Sequence, residues 1–245
     1  KSFPLINHPE TGEGWFGFTE IYSKNIGAPS RQVSREEIWT RQSDIYKSEH
    51  QGWRRQITEI AVHPENPDIV YAVTAGQQNT AGHEWQLPSG LYKSEKGGLD
   101  GITGDEKQFL PLDFPGRNYH RDTLAIITGI IPDPETENRV WISLTGILPQ
   151  YRIWRSDDGG TTWNNDDPNG VFSANPVNAL AYDGKYKKIY AGTDRGLFLK
   201  TANKGWKKIT SFPSVRVTEI KINEGLNRIR ISTFGRGMWE GPRNI

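Results

Sequence analysis

Cysteine is absent from this sequence of 245 residues, and methionine occurs once, at Met238. Without cysteine there is neither a disulfide framework nor a zinc site built on thiolates. Charge of one sign is not in excess either, since 30 Lys and Arg residues face 29 Asp and Glu residues and leave a net charge of +1. The balance gives no overall field that would favour nucleic acid or a membrane surface as a partner.

Long apolar runs are missing as well. The longest, residues 124–131, is interrupted by Thr128 and Gly129, and it is much shorter than the roughly 20 apolar residues that a membrane-spanning helix needs. Extended stretches of helix formers with a 3.6-residue spacing are also missing, whereas turn residues recur every few positions. This texture is typical of short β-strands.

One phrase occurs four times along the chain: an apolar strand, a polar turn and a second apolar strand. The copies begin at Ile57, Ile127, Val177 and Val217, and the second strand starts 12 or 13 residues after the first in each copy. The copies themselves are 40 to 70 residues apart. The variation in length therefore lies in loops, where insertions cost little.

Each pair of strands is followed by the pattern of a third and, in three copies, a fourth strand. The third strands are expected at 90–94, 151–156, 196–200 and 237–240, and the fourth at 109–112, at Trp163 and at 206–209. Four short antiparallel strands in each unit describe the blade of a β-propeller. We therefore predict an all-β, single-domain propeller with blades at 57–114, 127–172, 177–212 and 217–245; a β-sandwich with coincidental repeats is the alternative.

Residues 1–56 are harder to interpret. The second and third strands of a blade are resembled by segments 15–18 and 20–22. A third strand and its turn are resembled by segments 44–48 and 52–53. A polar insertion separates the first pair of segments from the second. The pattern fits either one elaborated blade or pieces of two. Since the sequence also begins at Lys1 without an initiator Met or a signal peptide, we expect a fragment of a larger ring, whose remaining blades lie on another chain or segment; a five-bladed ring is the alternative.

The residue types in the turn Ser156-Asp-Asp-Gly-Gly-Thr-Thr-Trp163 indicate how this turn is held closed. A short hairpin needs glycine where φ is positive, which we assign to Gly160. The carboxylate of Asp158 can accept hydrogen bonds from nearby backbone N–H groups, and Trp163 offers a large apolar plate that packs the turn onto its blade.

This turn matches the Asp-box pattern Ser-x-Asp-x-Gly-x-Thr-Trp, and over about residues 45–245 the chain resembles the Asp-box (BNR repeat) propellers. These include sialidases, xyloglucanase-type glycoside hydrolases, sortilin-like receptor domains and photosystem assembly factors. The resemblance implies that the Asp box is structural and lies opposite the ligand face, so we interpret Ser156, Asp158, Gly160, Thr162 and Trp163 as scaffold. The ending 233–240 is similar to the closing phrase of exported bacterial propellers, which implies an extracellular or cell-surface location.

Ligand contacts are expected in the loops after the second strands and between blades, on the face away from the Asp box. The candidates are His83, Glu84, Trp85, Arg117, Tyr119, His120, Arg121, Asp122, Arg152 and Arg195, joined by Arg54, Arg55, Arg216 and Arg236. Guanidinium groups suit a ligand that bears carboxylate or sulfate, with sugar rings stacked on an aromatic side chain. The alternative is that these residues belong to solvated loops and to arginines that tie blades together, and Arg236, between two glycines, fits a structural turn.

Two functions remain open. One is a non-catalytic binding or scaffold module of an exported bacterial protein, which recognises glycan or protein on this loop face. The other is a xyloglucanase- or sialidase-like glycoside hydrolase, which needs paired carboxylates or a Tyr nucleophile with an acid partner. The acids Glu84, Asp122 and Asp194 and the tyrosines Tyr119 and Tyr151 do not form a recognisable pair, and the early Arg-Ile-Pro phrase of sialidases is absent. We therefore favour binding.

Cofactor motifs are weak or missing. The sequence has no phosphate-binding or dinucleotide-binding glycine phrase, and its five histidines lack metal-ligand spacing. Segment 165–170 could ligate calcium through its oxygens, although a polar turn is the simpler interpretation. We expect no cofactor, no metal, no nucleic-acid partner and no membrane insertion.

Overall fold

A computed structural model describes residues 56–76, 88–97, 109–116, 124–147, 151–201 and 204–244, together with the backbone of four short strands nearer the start of the chain. The described residues contain no helix, and hence none that could cross a membrane. Their strands form five antiparallel sheets that follow one another in chain order, arranged as a β-propeller. The predicted all-β propeller is confirmed.

The blades are numbered I to V. Blade I consists of β1 (Leu5–Asn7), β2 (Glu13–Gly17), β3 (Ile21–Asn25) and β4 (Thr40–Arg41). Blade II consists of β5 (Ile57–Val62), β6 (Val70–Thr74), β7 (Gly90–Ser94) and β8 (Leu110–Leu112), and blade III of β9 (Leu124–Pro132), β10 (Val140–Ile147), β11 (Ile153–Ser156) and β12 (Asn164–Asn165). Blade IV consists of β13 (Val177–Asp183), β14 (Lys188–Thr193), β15 (Gly196–Thr201) and β16 (Lys204–Lys208), and blade V of β17 (Val217–Asn223), β18 (Arg228–Thr233) and β19 (Met238–Pro242).

Blade I contains two of the segments singled out near the start of the sequence. Strands β1 to β4 form one sheet, in which 13–17 and 21–25 pair as its second and third strands. The segments 44–48 and 52–53, expected to resemble a further strand and turn, lie outside the described residues.

The core lies between successive blades. All five residues of β6, Val-Tyr-Ala-Val-Thr, are buried, because blade II is covered on both faces. By contrast, β18 alternates buried isoleucines with more exposed arginines, as expected of a strand with one covered face. Its buried side, Ile229 and Ile231, packs with Tyr190 and Leu197 of blade IV.

A β-bulge recurs in the first strand of blades II to V, at the residue directly after its buried Ile57, Ile127, Val177 or Val217. The register shifts at Thr58, Thr128, Asn178 and Thr218. The hydroxyl of Thr128 donates to the carbonyl of Val177 at 2.6 Å, and the amide of Asn178 donates to the carbonyl of Val217 at 3.2 Å. In blades III and IV the bulge thus aims a polar side chain at the first strand of the next blade, whereas the hydroxyl of Thr58 donates to the carbonyl of Val73 in its own blade.

In blades II to V, the turn after the first strand is also closed in the same way. Its first residue is His63, Asp133, Asp183 or Asn223, and in each case the side chain accepts a hydrogen bond from a backbone N–H two or three residues later. The ring nitrogen Nδ1 of His63 therefore accepts the backbone hydrogen bond that a side-chain oxygen of aspartate or asparagine accepts in the other blades.

Candidate functional site

The antiparallel strands give the propeller two ends. The turns after the first and third strands lie at one end, which we call the turn face. The loops after the second strands and the connections between blades lie at the other end, the loop face. In the described residues this face comprises residue 56 and the segments 75–76, 88–89, 113–116, 151–152, 166–176, 194–195, 209–216 and 234–237.

On the turn face, the 156–163 turn is held by its own side chains. The hydroxyl of Ser156 accepts the N–H of Gly160 at 2.7 Å and donates to the carboxylate of Asp158 at 2.7 Å. That carboxylate also accepts the hydroxyl of Thr162 at 2.6 Å and its backbone N–H at 2.8 Å. These bonds, led by the one from the Thr162 side chain, lower the pKa of Asp158 to about 2.

Trp163 joins this turn to the preceding blade. Its indole N–H donates to the carbonyl of Asp113 at 2.8 Å, and Trp206, at the matching place in blade IV, donates to the carbonyl of Asp166 at 3.0 Å. Gly160 has φ of +103°, and a Cβ there would lie 2.6 Å from Leu112 of blade II. The side chains of this motif are therefore engaged with one another and with the neighbouring blade.

Most of the predicted ligand residues lie outside the described residues. These are His83, Glu84, Trp85, Arg117, Tyr119, His120, Arg121 and Asp122, as well as Arg54 and Arg55. Arg152 is described and is buried. Its guanidinium donates to the carbonyl of Gly146 at 3.1 Å, so it contacts the end of β10, the preceding strand of its blade.

Arg195 is exposed at the tip of the two-residue turn between β14 and β15. The turn is rigid because the Thr193 hydroxyl donates to the carbonyl of Gly196 at 2.9 Å and accepts the backbone N–H of Arg195 at 3.1 Å. The buried amide of Asn175 also donates to that hydroxyl, at 3.0 Å. The position of Arg195 is thus set by the scaffold, while its side chain faces solvent.

The corresponding turn of blade V presents Phe234 and Arg236. The N–H of Thr233 donates to the carbonyl of Gly237 at 3.0 Å, and the positive φ angles of Gly235 and Gly237, +81° and +67°, let the chain reverse between them. Phe234 is 72% exposed. The turn is structural, as proposed for Arg236, but the arginine side chain itself is exposed.

Arg216 connects these two turns. Its guanidinium pairs with Asp194 at 2.9 Å, and its carbonyl accepts the N–H of Phe234 at 2.8 Å. Asn178, the bulge residue of blade IV, donates to the same carboxylate at 2.9 Å. The turns of blades IV and V therefore form one continuous rim, which we call the IV–V rim: residues 194–195, Arg216 and 234–237.

Three of the described carboxylates on this face have partners. The carboxylate of Asp194 pairs with Arg216 and accepts the amide of Asn178, and that of Asp166 accepts a hydrogen bond from Lys200 at 2.6 Å. Asp167 accepts the backbone N–H groups of residues 171 and 172 at 2.9 and 2.8 Å, so segment 165–170 is a hydrogen-bonded turn. Among the described residues, no group of three or more acids and histidines is placed to hold a metal ion.

The sequence predicts Arg195, Arg216 and Arg236 on this face, but its motifs do not single out Phe234 or Asn178. The signal for Phe234 was its place directly after Thr233, at the end of a second strand, where turns of the loop face begin. Asn178 carried a signal as well, since a polar residue follows the first apolar residue of every repeat.

No family model and no curated protein matches the chain. Solved structures do share its fold. It superposes on a GH74 xyloglucanase from Xanthomonas campestris with a TM-score of 0.65 and 16% identity, over 96% of this chain and 35% of that one. A GH74 enzyme from Niastella koreensis gives a TM-score of 0.62 and 15% identity, over 94% and 32%.

The extracellular domain of a putative hybrid two-component system from B. thetaiotaomicron gives a TM-score of 0.59 and 15% identity, over 96% of this chain and 26% of that one. The chain thus spans about a third or less of the length of these proteins. At such identities the likeness establishes the propeller fold alone.

Proposed function

We propose that the protein is a non-catalytic binding module of an exported protein, and that it holds an anionic glycan on its loop face. The observation that carries this proposal is the IV–V rim, where Arg216 joins two rigid turns and leaves Arg195, Arg236 and Phe234 exposed. The extracellular domain and the GH74 enzymes among the similar folds support export.

The chemistry of the rim favours carboxylate or sulfate groups on a sugar. A guanidinium binds either anion through two parallel N–H donors, and an exposed phenyl ring gives a sugar ring an apolar surface to stack on. Because the turns are held by hydrogen bonds, little loop ordering opposes binding. A protein ligand with acidic side chains is the alternative occupant.

A glycoside hydrolase is the second candidate, favoured by the GH74 enzymes among the similar folds. Glycosidases need two carboxyl groups that face each other across the scissile bond. Asp194, Asp166 and Asp167 are each engaged by a cation or by backbone N–H groups, which argues against their use as acid and base. The predicted acids Glu84 and Asp122 lie outside the described residues.

The test is binding of the protein to a glycan array that contains uronic-acid and sulfated polysaccharides beside neutral xyloglucan. We expect retention on the charged glycans and weakening by at least tenfold in the double variant Arg195→Ala/Arg236→Ala, since hydrogen bonds to charged groups contribute about 1.5–3 kcal/mol each. Lys187→Ala is the matched control, because it removes an exposed charge on the turn face.

Equal glycan binding by the double variant Arg195→Ala/Arg236→Ala and by the control Lys187→Ala would contradict the rim as the binding site. Turnover of any of these polysaccharides that is lost in Glu84→Gln or Asp122→Asn would replace the binding proposal with the hydrolase. Selective capture of acidic peptides instead of glycans would identify a protein ligand on the same rim.

A further inference from the structure

Positive charge is concentrated on blade IV. Residues 177–216, which form this blade and its connection to blade V, contain nine Lys and Arg residues but two acids, Asp183 and Asp194. Both acids are engaged, since Asp183 pairs with Arg243 and Asp194 with Arg216. The whole chain has a net charge of +1, so the remaining residues are acidic on balance and blade IV has a local positive field.

The charge continues to the outer edge of the blade, which strand β16 forms. Its sequence, Lys-Gly-Trp-Lys-Lys, gives it the exposed lysines Lys204, Lys207 and Lys208. The fourth strands of blades II and III have the sequences Leu-Pro-Leu and Asn-Asn and contain no charged residue. At about 3.3 Å for each residue, the lysines of β16 are distributed over roughly 13 Å.

These lysines are not neutralised by acids in the part of the chain that the structure describes. The neighbouring Lys200 pairs with Asp166 at 2.6 Å, whereas none of the ion pairs of the described residues includes a lysine of β16. Lys208 instead donates to the neutral hydroxyl of Ser214 at 2.6 Å. The ammonium groups at this edge therefore keep their charge available to an external anion.

Strand β16 also adjoins the IV–V rim. Its last residue is Lys208, and a Cβ on Gly196 would lie 3.6 Å from Cε of this lysine. The lysine side chain therefore lies beside the turn that carries Arg195. At the other end of the strand, Lys204 pairs with Thr201, next to the turn face. A basic line thus runs from the rim along the edge of blade IV, and we call it the lysine track: Lys204, Lys207 and Lys208.

Protection of a sheet edge does not account for all of this charge. Lysine on an edge strand deters pairing with another sheet, but that role concerns β16 alone. The excess of positive charge extends to Lys185 and Lys188 near the turn face and to Arg195 on the loop face. An excess of one sign over a whole blade attracts a ligand of the opposite sign.

The track suits an anionic polysaccharide better than a nucleic acid. A lysine ammonium is a point charge on a flexible stem, which fits anionic groups that repeat along a chain without a fixed geometry. Trp206, the aromatic residue of β16, is 7% exposed and packs on Phe172 at 5.1 Å. The bases of a single-stranded nucleic acid would therefore find no exposed aromatic ring to stack on along this strand.

We propose that the lysine track extends the IV–V rim into a binding site for a linear polysaccharide with carboxylate or sulfate groups on successive sugars. The rim holds one end of the ligand, and Lys208, Lys207 and Lys204 pair with its anionic groups along the edge of blade IV. This inference rests on the function proposed for the rim and adds the length of the ligand, because a single sugar unit cannot contact both the rim and the track.

An NMR titration of the ¹⁵N-labelled protein tests the track. The probes are a heparin disaccharide, short enough for the rim alone, and a heparin octasaccharide. We expect the octasaccharide to bind about tenfold more tightly, because weak exposed ion pairs act together, and salt to reduce this preference by screening them. The amides of Arg195 and Arg236 should shift with both sugars, and those of residues 204–208 with the octasaccharide alone.

Substitutions separate the charge of the track from its place in the sheet. Lys204→Gln/Lys207→Gln/Lys208→Gln should bind the octasaccharide about tenfold more weakly than the wild type and the disaccharide equally well, whereas the triple variant to arginine should keep wild-type binding. The matched control removes the same net charge from exposed lysines elsewhere, and it should bind both sugars as the wild type does: Lys96→Gln/Lys187→Gln/Lys221→Gln.

Equal octasaccharide affinities of the glutamine variant and its control would overturn the track, as would unchanged amide shifts at 204–208. The rim would survive that result if Arg195→Ala/Arg236→Ala weakens disaccharide binding. Octasaccharide binding that is lost in the glutamine variant but kept in the arginine-to-alanine variant would support the track and contradict the rim. Tighter binding of single-stranded DNA of equal charge would identify a nucleic acid as the ligand and overturn the proposal.

Discussion

Arg243 and Asp183, sixty residues apart, form a bidentate ion pair in the interior. Nε of Arg243 lies 2.8 Å from one carboxylate oxygen and Nη2 lies 2.5 Å from the other, and the side chains are 2% and 0% exposed. The carbonyl of Arg243 also accepts the hydroxyl of Tyr190 at 2.9 Å. The segment after β19 is thereby fastened to blade IV.

Removing one partner of this pair should destabilise the protein strongly. Arg243→Ala leaves the carboxylate of Asp183 buried without its cation, which in other proteins costs about 3–5 kcal/mol. Lys187→Ala is the control, because its pair with Glu135 is exposed and should contribute less than about 1 kcal/mol. Urea denaturation of both variants measures the difference, and equal midpoints would show that the buried pair is not needed for stability.

The repeated pattern of the sequence predicts the strands of blades II to V, because each strand's apolar period and its flanking turns are local. The Arg243 pair could not be predicted, since nothing near either residue marks a partner sixty positions away. Arg152 illustrates a second limit: arginine is mostly exposed in proteins, so a pattern alone places it in solvent, whereas the fold buries it against Gly146.

One face of β18 in blade V is polar, and the sequence could have predicted this. The alternation Arg228-Ile-Arg-Ile231 distinguishes β18 from the wholly apolar centre of β6, and it indicates a strand covered on one face. On the loop face, most candidate residues fall in the long, variable loops, whose paths are not set by the repeat. The ligand residues there stay predictions.

The hydrogen bond from the bulge residue to the next blade should contribute to stability. Thr128→Val keeps the shape of the side chain but removes the donor to the carbonyl of Val177, and a buried acceptor left unsatisfied costs about 1–3 kcal/mol. Thr218→Val changes the matching residue of blade V, which is exposed, and should stay within about 0.5 kcal/mol. Chemical denaturation distinguishes the two, and similar losses would contradict a bond specific to the junction of blades III and IV.

Asp158 should make the free energy of unfolding depend on pH in the acidic range. Its folded pKa of about 2 lies below the roughly 3.9 of an unfolded aspartate, so its contribution is full above pH ~4 and is lost as the pH falls toward 2. Asp158→Asn should therefore be less stable than the wild type near neutral pH, and the gap should narrow across that window. Thermal unfolding at a series of pH values measures it, and a gap independent of pH would assign the effect to shape and not to charge.

His63 provides a test of the shared turn. Its Nδ1 accepts the backbone N–H groups of Glu65 and Asn66 at 3.2 and 3.1 Å, while Nε2 donates to the carbonyl of Asp133 at 2.9 Å. Asparagine, which closes the same turn at Asn223, can replace the first two bonds but not the bond to blade III. We expect His63→Leu to lose about 1–3 kcal/mol, the typical penalty for buried groups left unbonded, and His63→Asn to recover part of that loss. Urea midpoints of the two variants give the answer: if asparagine recovers nothing, the bond between blades, and not the turn, is what His63 contributes.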